Sequence, residues 1–148
     1  MTIKPDRIGH VVLKVRSLER SVPFYSEILG FTENARYGPM VFFTATGENH
    51  HDLALMEVGE DAAAQGSREV GLFHVAIRLG SVDDVKGAYA ELRARGVSVG
   101  SSDHGVSKSI YLSDPDGIEI ELYADVPSDD YGGDVAGAMT VAPWDPAS

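Results

Sequence analysis

The sequence predicts an α+β fold in which two tandem βαβββ modules form a curved mixed sheet around a cavity. Three observations lead there. Phe73-His74-Val75-Ala76-Ile77-Arg78-Leu79 repeats Gly9-His10-Val11-Val12-Leu13-Lys14-Val15 almost residue for residue, 64 residues further on. Each copy is followed by a helical stripe and three short runs of strand character, and a repeat this long reads as duplication of one module rather than as a solenoid unit. The stretch from Asp103 to Glu121 reads as a hairpin around Asp114-Pro115-Asp116-Gly117, a strong turn sequence.

In chain order, Ile8 to Val15 is the first expected strand, with Val11, Leu13 and Val15 on one face and Ile8, His10, Val12 and Lys14 on the other. Ser17 is placed to cap a helix carrying Leu18, Val22, Tyr25 and Leu29 and ending at Gly30. Pro23 costs that helix a hydrogen bond, so a loose first turn and a regular helix from near Val22 are expected. Short strands follow at Phe31 to Ala35, Met40 to Thr46 and His51 to Val58, then an Ala- and Gly-rich connector from Gly59 to Arg68. In the second copy Ser81 caps a helix with Asp84 as its reciprocal partner; Val85, Tyr89 and Leu92 form the stripe and Gly96 stops it. Strands are expected near Val97 to Gly100, Ser107 to Ser113 and Ile118 to Ala124. The whole chain, 1–148, is expected to be one domain, with modules at about 6–60 and 70–125 and a tail over 126–148. From Asp125 onward there are five aspartates and no Lys or Arg, so this end is either mobile or a strap that Met139, Val141 and Trp144 help to dock.

Composition narrows the function classes. The chain has 148 residues, 43% of them hydrophobic, enough to bury a core. Twelve basic residues stand against 23 acidic ones, a net charge of −11 that disfavours nucleic acid and anionic membranes as partners. No cysteine is present, which excludes disulfides and thiol catalysis. Met1 to Arg7 lacks the apolar core of a signal peptide, and no apolar run approaches the roughly 18 residues of a membrane span, so a cytoplasmic location is expected.

The chemistry-bearing residues gather on one face. In the hairpin, Ile110, Leu112, Ile118, Ile120 and Leu122 share one side, and Tyr111, Glu119, Glu121 and Tyr123 the other. His10 and His74 occupy equivalent places in the repeat. If the aliphatic sides are covered by helices and the polar sides face a common cavity, a carboxylate of the last strand meets both imidazoles there. Two imidazoles and one carboxylate on one side of a metal, with the remaining positions open, suit a non-haem Fe(II) oxygenase, and make the cavity metal-centred. Spacing alone does not choose between Glu119 and Glu121. Tyr111 also suits a packing role, His50 and His51 an exposed turn, and the Asp-Pro-Asp-Gly segment needs no purpose beyond turning the chain.

The duplicated module with His10, His74 and a hairpin carboxylate resembles the vicinal oxygen chelate superfamily, which includes glyoxalase I, fosfomycin-resistance proteins, bleomycin-binding proteins and type I extradiol dioxygenases. His104, Ile110-Tyr111, Asp114-Pro115-Asp116-Gly117 and Glu121 resemble the extradiol ring-cleavage signature, with Ser102 a departure from it. The resemblance selects Glu121 as the carboxylate ligand. His50-His51-Asp52-Leu53-Ala54-Leu55 resembles the paired-histidine strand of those enzymes and implies His51 as the histidine that supports the metal site. The likeness is closest to catechol 2,3-dioxygenase-like proteins, many of which are twice as long.

That resemblance implies Fe(II), with Mn, Ni or Zn as other metals, held by His10, His74 and Glu121. It implies a catechol-type aromatic diol and O2 as substrates, and His51, His104 and Tyr111 as catalytic residues. His51 would exchange the hydroxyl proton, while His104 and Tyr111 would hold the substrate oxygen. A homodimer would complete the open sheet edge. The rival enzymes are glyoxalase-like isomerases or transferases, which commonly use a fourth protein ligand; between Leu53 and Val58 only Glu57 could serve. The rival non-enzyme is a small-molecule binding protein of the bleomycin-resistance kind.

Overall fold

The computed structural model describes residues 2–148. Its backbone separates into two compact units, Met1–Gly66 and Ser67–Ser148. Each carries one four-stranded mixed sheet with few helices, so the chain is an α+β protein of tandem modules.

The first sheet contains β1 (Val11–Val15), β2 (Thr32–Tyr37), β3 (Met40–Thr44) and β4 (Leu53–Glu57), in the order β1-β4-β3-β2. β1 runs parallel to β4, and the other pairs are antiparallel. Leu13, Val15, Val41, Phe43, Leu53 and Leu55 are buried, and the register places them on one face. Tyr25, fully buried, sits over that face with its ring 6.3 Å from Phe43. The expected start of β1 at Ile8 is corrected: residues 2–10 have no regular structure, and Ile8 is exposed.

The first helix reverses the expected order of regular and loose turns. α1 (Leu18–Pro23) is regular, and the turn after the proline, Phe24–Ile28, widens to π spacing, with Leu29 N–H donating to the Phe24 carbonyl at 3.0 Å. Pro23 has no N–H to give the Glu19 carbonyl and its ring crowds that oxygen, so the irregularity falls downstream. Ser17 occupies the cap position, but its side chain makes no capping bond. Glu57 does the work instead, its Oε2 accepting from the Leu18 N–H at 2.8 Å.

The second sheet contains β5 (His74–Arg78), β6 (Gly100–Asp103), β7 (Ser107–Ser113) and β8 (Glu119–Asp125), in the order β5-β8-β7-β6. β5 is parallel to β8, so the topology repeats that of the first sheet. α2 (Val82–Ala94) packs on β7 and β8 and buries Val85 and Leu92, while Ile110, Leu112, Ile120 and Leu122 are buried in the sheet. Its start is the reciprocal cap read from the sequence: Ser81 Oγ accepts from Asp84 N–H at 3.2 Å and donates to Asp84 Oδ2 at 2.7 Å. β6 begins three residues later than expected because Val97 N–H closes the helix end on the Leu92 carbonyl, at 2.9 Å.

Asp114 locks the β7–β8 turn. Its Oδ1 accepts from the N–H groups of Asp116 and Ile118, both at 2.8 Å, and Gly117 supplies the positive φ of 85°. The side chain is buried, so Asp114→Ala leaves two donors unsatisfied and is expected to destabilise the protein by about 1–3 kcal/mol, read as a lower denaturation midpoint.

The segment after β8 is a strap on the second unit. It carries a 3-10 turn (Ser128–Tyr131) and α3 (Val135–Ala138), then bridges β6 through Asp103 and Ala142. Trp144 lies under the Lys108 ammonium at 5.8 Å, but Met139 and Val141, expected to help dock it, are exposed. Among the described residues no helix is long and apolar enough to cross a membrane.

Candidate functional site

Strand register assembles the polar face of the second unit. β5–β8 pairing sets His74 opposite Glu119 and Ala76 opposite Glu121, and β7–β8 pairing sets Tyr111 opposite Glu121. His74 Nε2 lies 3.0 Å from Glu121 Oε2, whereas its Nδ1 is 3.5 Å from Glu119 Oε1. Nδ1 is buried and forms no hydrogen bond. The Glu121 side chain is 11% exposed and that of Glu119 43%, so position and burial distinguish two carboxylates that spacing leaves equal.

Tyr111 links this pair to His104. Its hydroxyl donates to Glu121 Oε1 at 2.9 Å and lies 2.6 Å from His104 Nε2. Burial first, and the Glu121 carboxylate second, push the phenol pKa up to about 12. Tyr111 is therefore a proton donor throughout the neutral range. His104 sits in the β6–β7 turn, whose N–H donates to the Ser107 carbonyl at 2.9 Å.

The first unit holds the other histidines. His10 immediately precedes β1, its ring 4.2 Å from His51 and 6.3 Å from His50. His50 and His51 share a hydrogen bond between their Nδ1 atoms at 2.5 Å, and Phe42 meets the His51 ring edge-on at 5.1 Å. Burial, then the His10 and His50 rings, lower the His51 pKa against the opposing pull of Asp52. The net effect favours the neutral imidazole. Asp52, to which the sequence pattern assigns no role of its own, anchors the loop bearing these histidines. Its carboxylate accepts from Ala45 N–H at 2.8 Å and Asn49 Nδ2 at 2.7 Å, and the Ala45 bond leads in holding its pKa low. A carboxylate beside a Gly-Glu-Asn turn is the available signal for such an anchor.

The repeat also shows what the first unit lacks. Val12 pairs with Ala54 as Ala76 pairs with Glu121, so an alanine stands where the second unit has its buried carboxylate. Glu57, the one residue considered as a fourth ligand, shares the parity of Leu53 and Leu55 on the helix-covered face and caps α1.

The expected metal ligands are divided, His10 in the first unit and His74 and Glu121 in the second. Neither unit alone places three His, Cys, Asp or Glu side chains to hold a metal, among the described residues. The donor chemistry nevertheless fits a divalent cation. A buried carboxylate faces an imidazole nitrogen, and the other nitrogen of that ring has no hydrogen-bond partner and lies nearest Glu119.

A family model described as Glyoxalase/Bleomycin resistance protein/Dioxygenase superfamily matches residues 7–122. The chain belongs to this superfamily. Among its relatives is a catechol-2,3-dioxygenase of Bacillus subtilis (strain 168), 40% identical over 121 residues, covering 81% of this chain and 42% of that protein. Biphenyl-2,3-diol 1,2-dioxygenase 3 of Rhodococcus globerulus is 33% identical over 127 residues, covering 84% of this chain and 66% of that protein. The chain thus spans less than two thirds of the length of either relative. A superfamily member of known structure, a glyoxalase/bleomycin resistance protein/dioxygenase from Nocardioides, superposes with a TM-score of 0.65 at 28% identity, covering 85% of this chain and 87% of that one.

Proposed function

We propose that this superfamily member is an extradiol ring-cleavage dioxygenase that uses Fe(II), or Mn(II), Ni(II) or Zn(II) in its place, and opens a catechol-type aromatic diol with O2. The observation that carries the reading is the hydrogen-bonded run from His104 through Tyr111 to Glu121, at 2.6 and 2.9 Å, beside His74. A simple carboxylate–imidazole metal site needs no phenol and second imidazole at its margin. A reaction that must hold a phenolic oxygen does. Relatives named as dioxygenases of catechol and biphenyl-2,3-diol support the same chemistry.

In this reading His74 and Glu121 hold the metal with His10, which is assigned by its repeat equivalence to His74. The metal supplies Lewis acidity toward the diol and open positions for diol and O2. The chain's own residues do the rest. His51, whose neutral form burial favours, takes the proton of a diol hydroxyl and returns it later in the cycle. Tyr111 and His104 orient one substrate oxygen. Both units would then form a single domain with residues 126–148 as its tail, working as a cytoplasmic homodimer.

The isomerase and transferase alternatives call for a fourth protein ligand. Glu57 is committed to capping α1, and Ala54 occupies the position equivalent to Glu121, which counts against them. The test is anaerobic reconstitution with Fe(II), addition of catechol, then air. The yellow ring-opened product is expected. A panel of catechols left intact by protein with iron demonstrably bound would overturn the reading. Tyr111→Phe is expected to raise the KM for catechol roughly tenfold while iron content is unchanged, since it removes one hydrogen bond to a charged oxygen. Titration of each variant with catechol and metal analysis of the same samples check both parts.

A further inference from the structure

The second unit contains a device that the ring-cleavage reading does not use: the C-terminal strap. Its backbone bridges β6 by two reciprocal bonds, Asp103 N–H to the Ala142 carbonyl and Ala142 N–H to the Asp103 carbonyl, both at 2.9 Å. Thr140 N–H donates to the His104 carbonyl at 3.1 Å, and Ser101 Oγ donates to the Trp144 carbonyl at 2.6 Å. Gly105 makes the approach possible. Its φ is +74°, and a Cβ there would collide with the Ala138 carbonyl oxygen. Lys108 pairs with Asp103 and covers Trp144, pinning the strap from the neighbouring strand.

The consequence falls on His104. Its Nδ1 lies 3.2 Å from the Thr140 carbonyl oxygen, which can only accept. The ring proton is therefore on Nδ1, and in the neutral imidazole Nε2 is an acceptor 2.6 Å from the Tyr111 hydroxyl, which then turns its one proton to Nε2 instead of Glu121 Oε1. Imidazole left to itself favours no such arrangement, and a solvent-facing turn would let the ring rotate.

We infer that the strap, through the Thr140 carbonyl, is the positioning element that sets the tautomer and orientation of His104. Tyr111 has one proton and two acceptors within reach, His104 Nε2 and Glu121 Oε1. With Nδ1–H fixed by the strap, Nε2 competes for that proton, or accepts one from an incoming hydroxyl. Without the strap, the ring is free to place its own N–H on Nε2, and the site gains a donor where it had an acceptor. The catalytic consequence rests on the ring-cleavage reading; the tautomer does not.

The test uses the full chain labelled with 15N-histidine, without added metal, and the variant Ala142→Pro, which removes one bridging N–H and disrupts the strap. In the unchanged protein the His104 nitrogen shifts are expected to report a protonated Nδ1 and an unprotonated Nε2. In Ala142→Pro the two nitrogens are expected to exchange roles or average, and Ala142→Gly, which keeps the N–H, is expected to restore the original pattern. For the Fe(II) enzyme, KM for catechol is expected to rise about 10- to 100-fold in Ala142→Pro, the scale of a mispositioned group. Simple loss of folded enzyme would lower kcat at unchanged KM. Trp144→Ala, which removes the strap's aromatic anchor, serves if the proline variant does not fold. An Nε2-protonated His104 in the unchanged protein, or an unaltered tautomer and KM in a variant whose Asp103 amide has lost its exchange protection, would overturn the inference. If no catechol is cleaved at all while the tautomer responds as described, the strap assignment stands and the ring-cleavage reading fails.

Discussion

His51→Ala is expected to lower catechol turnover roughly 10²–10⁴-fold while the protein still binds iron, the effect of removing a general base rather than a ligand. Three features suit the imidazole to that proposed role. Its pKa is lowered chiefly by burial and then by the His10 and His50 rings, which favours the neutral, proton-accepting form. Phe42 packs against one edge and His50 bonds the Nδ1, which fixes the ring plane. Asp52, tied to Ala45 and Asn49, holds the loop that carries it. Stopped-flow turnover beside metal analysis separates the possibilities. Iron lost from His51→Ala, with activity regained in excess Fe(II), would make His51 a ligand.

Glu121→Ala is expected to be the most damaging single change at the proposed metal site, weakening metal binding by more than the roughly 10–100-fold typical of losing an outer partner and abolishing turnover, whereas Glu119→Ala is expected to fall at the low end of that range, about tenfold. Both carboxylates point to the same side of β8 and both approach His74. Only Glu121 is buried, meets Nε2 at 3.0 Å and is also bonded by Tyr111. Its removal takes away a charge donor and leaves the Tyr111 hydroxyl without its carboxylate. Glu119, half-exposed and 3.5 Å from an Nδ1 that forms no hydrogen bond, is expected to act on the ring only through its charge and not to bind the ion. Competition titration with a metal-binding dye measures the two variants directly; equal loss in both would remove the distinction.

Much of this was legible because its causes are local. Alternation alone divides β7 and β8 into a buried Ile110-Leu112-Ile120-Leu122 face and a Tyr111-Glu121 face, since successive side chains of a strand cannot share a side. Ser81 and Asp84 announce a helix start because the reciprocal bonds span three residues. The repeat of His10 at His74 discloses the shared topology of the two sheets. The rest is held by groups distant in sequence or by the backbone itself. Glu57 caps a helix that begins 39 residues earlier, where Ser17 looked sufficient. The carbonyl that orients His104 belongs to Thr140, and a carbonyl carries no sequence signature. The π turn after Pro23 depends on how the next residues find new partners, which the proline alone does not determine.

On the proposed function, one metal ion is held by His10, His74 and Glu121. An anaerobic crystal structure of the Fe(II)-loaded protein, with the iron located by its anomalous scattering, tests this most directly. A single iron is expected, bound by the imidazoles of His10 and His74 and the carboxylate of Glu121, with its other positions open to solvent or diol. Iron bound to other side chains, or a protein-supplied fourth ligand closing the site, would contradict it.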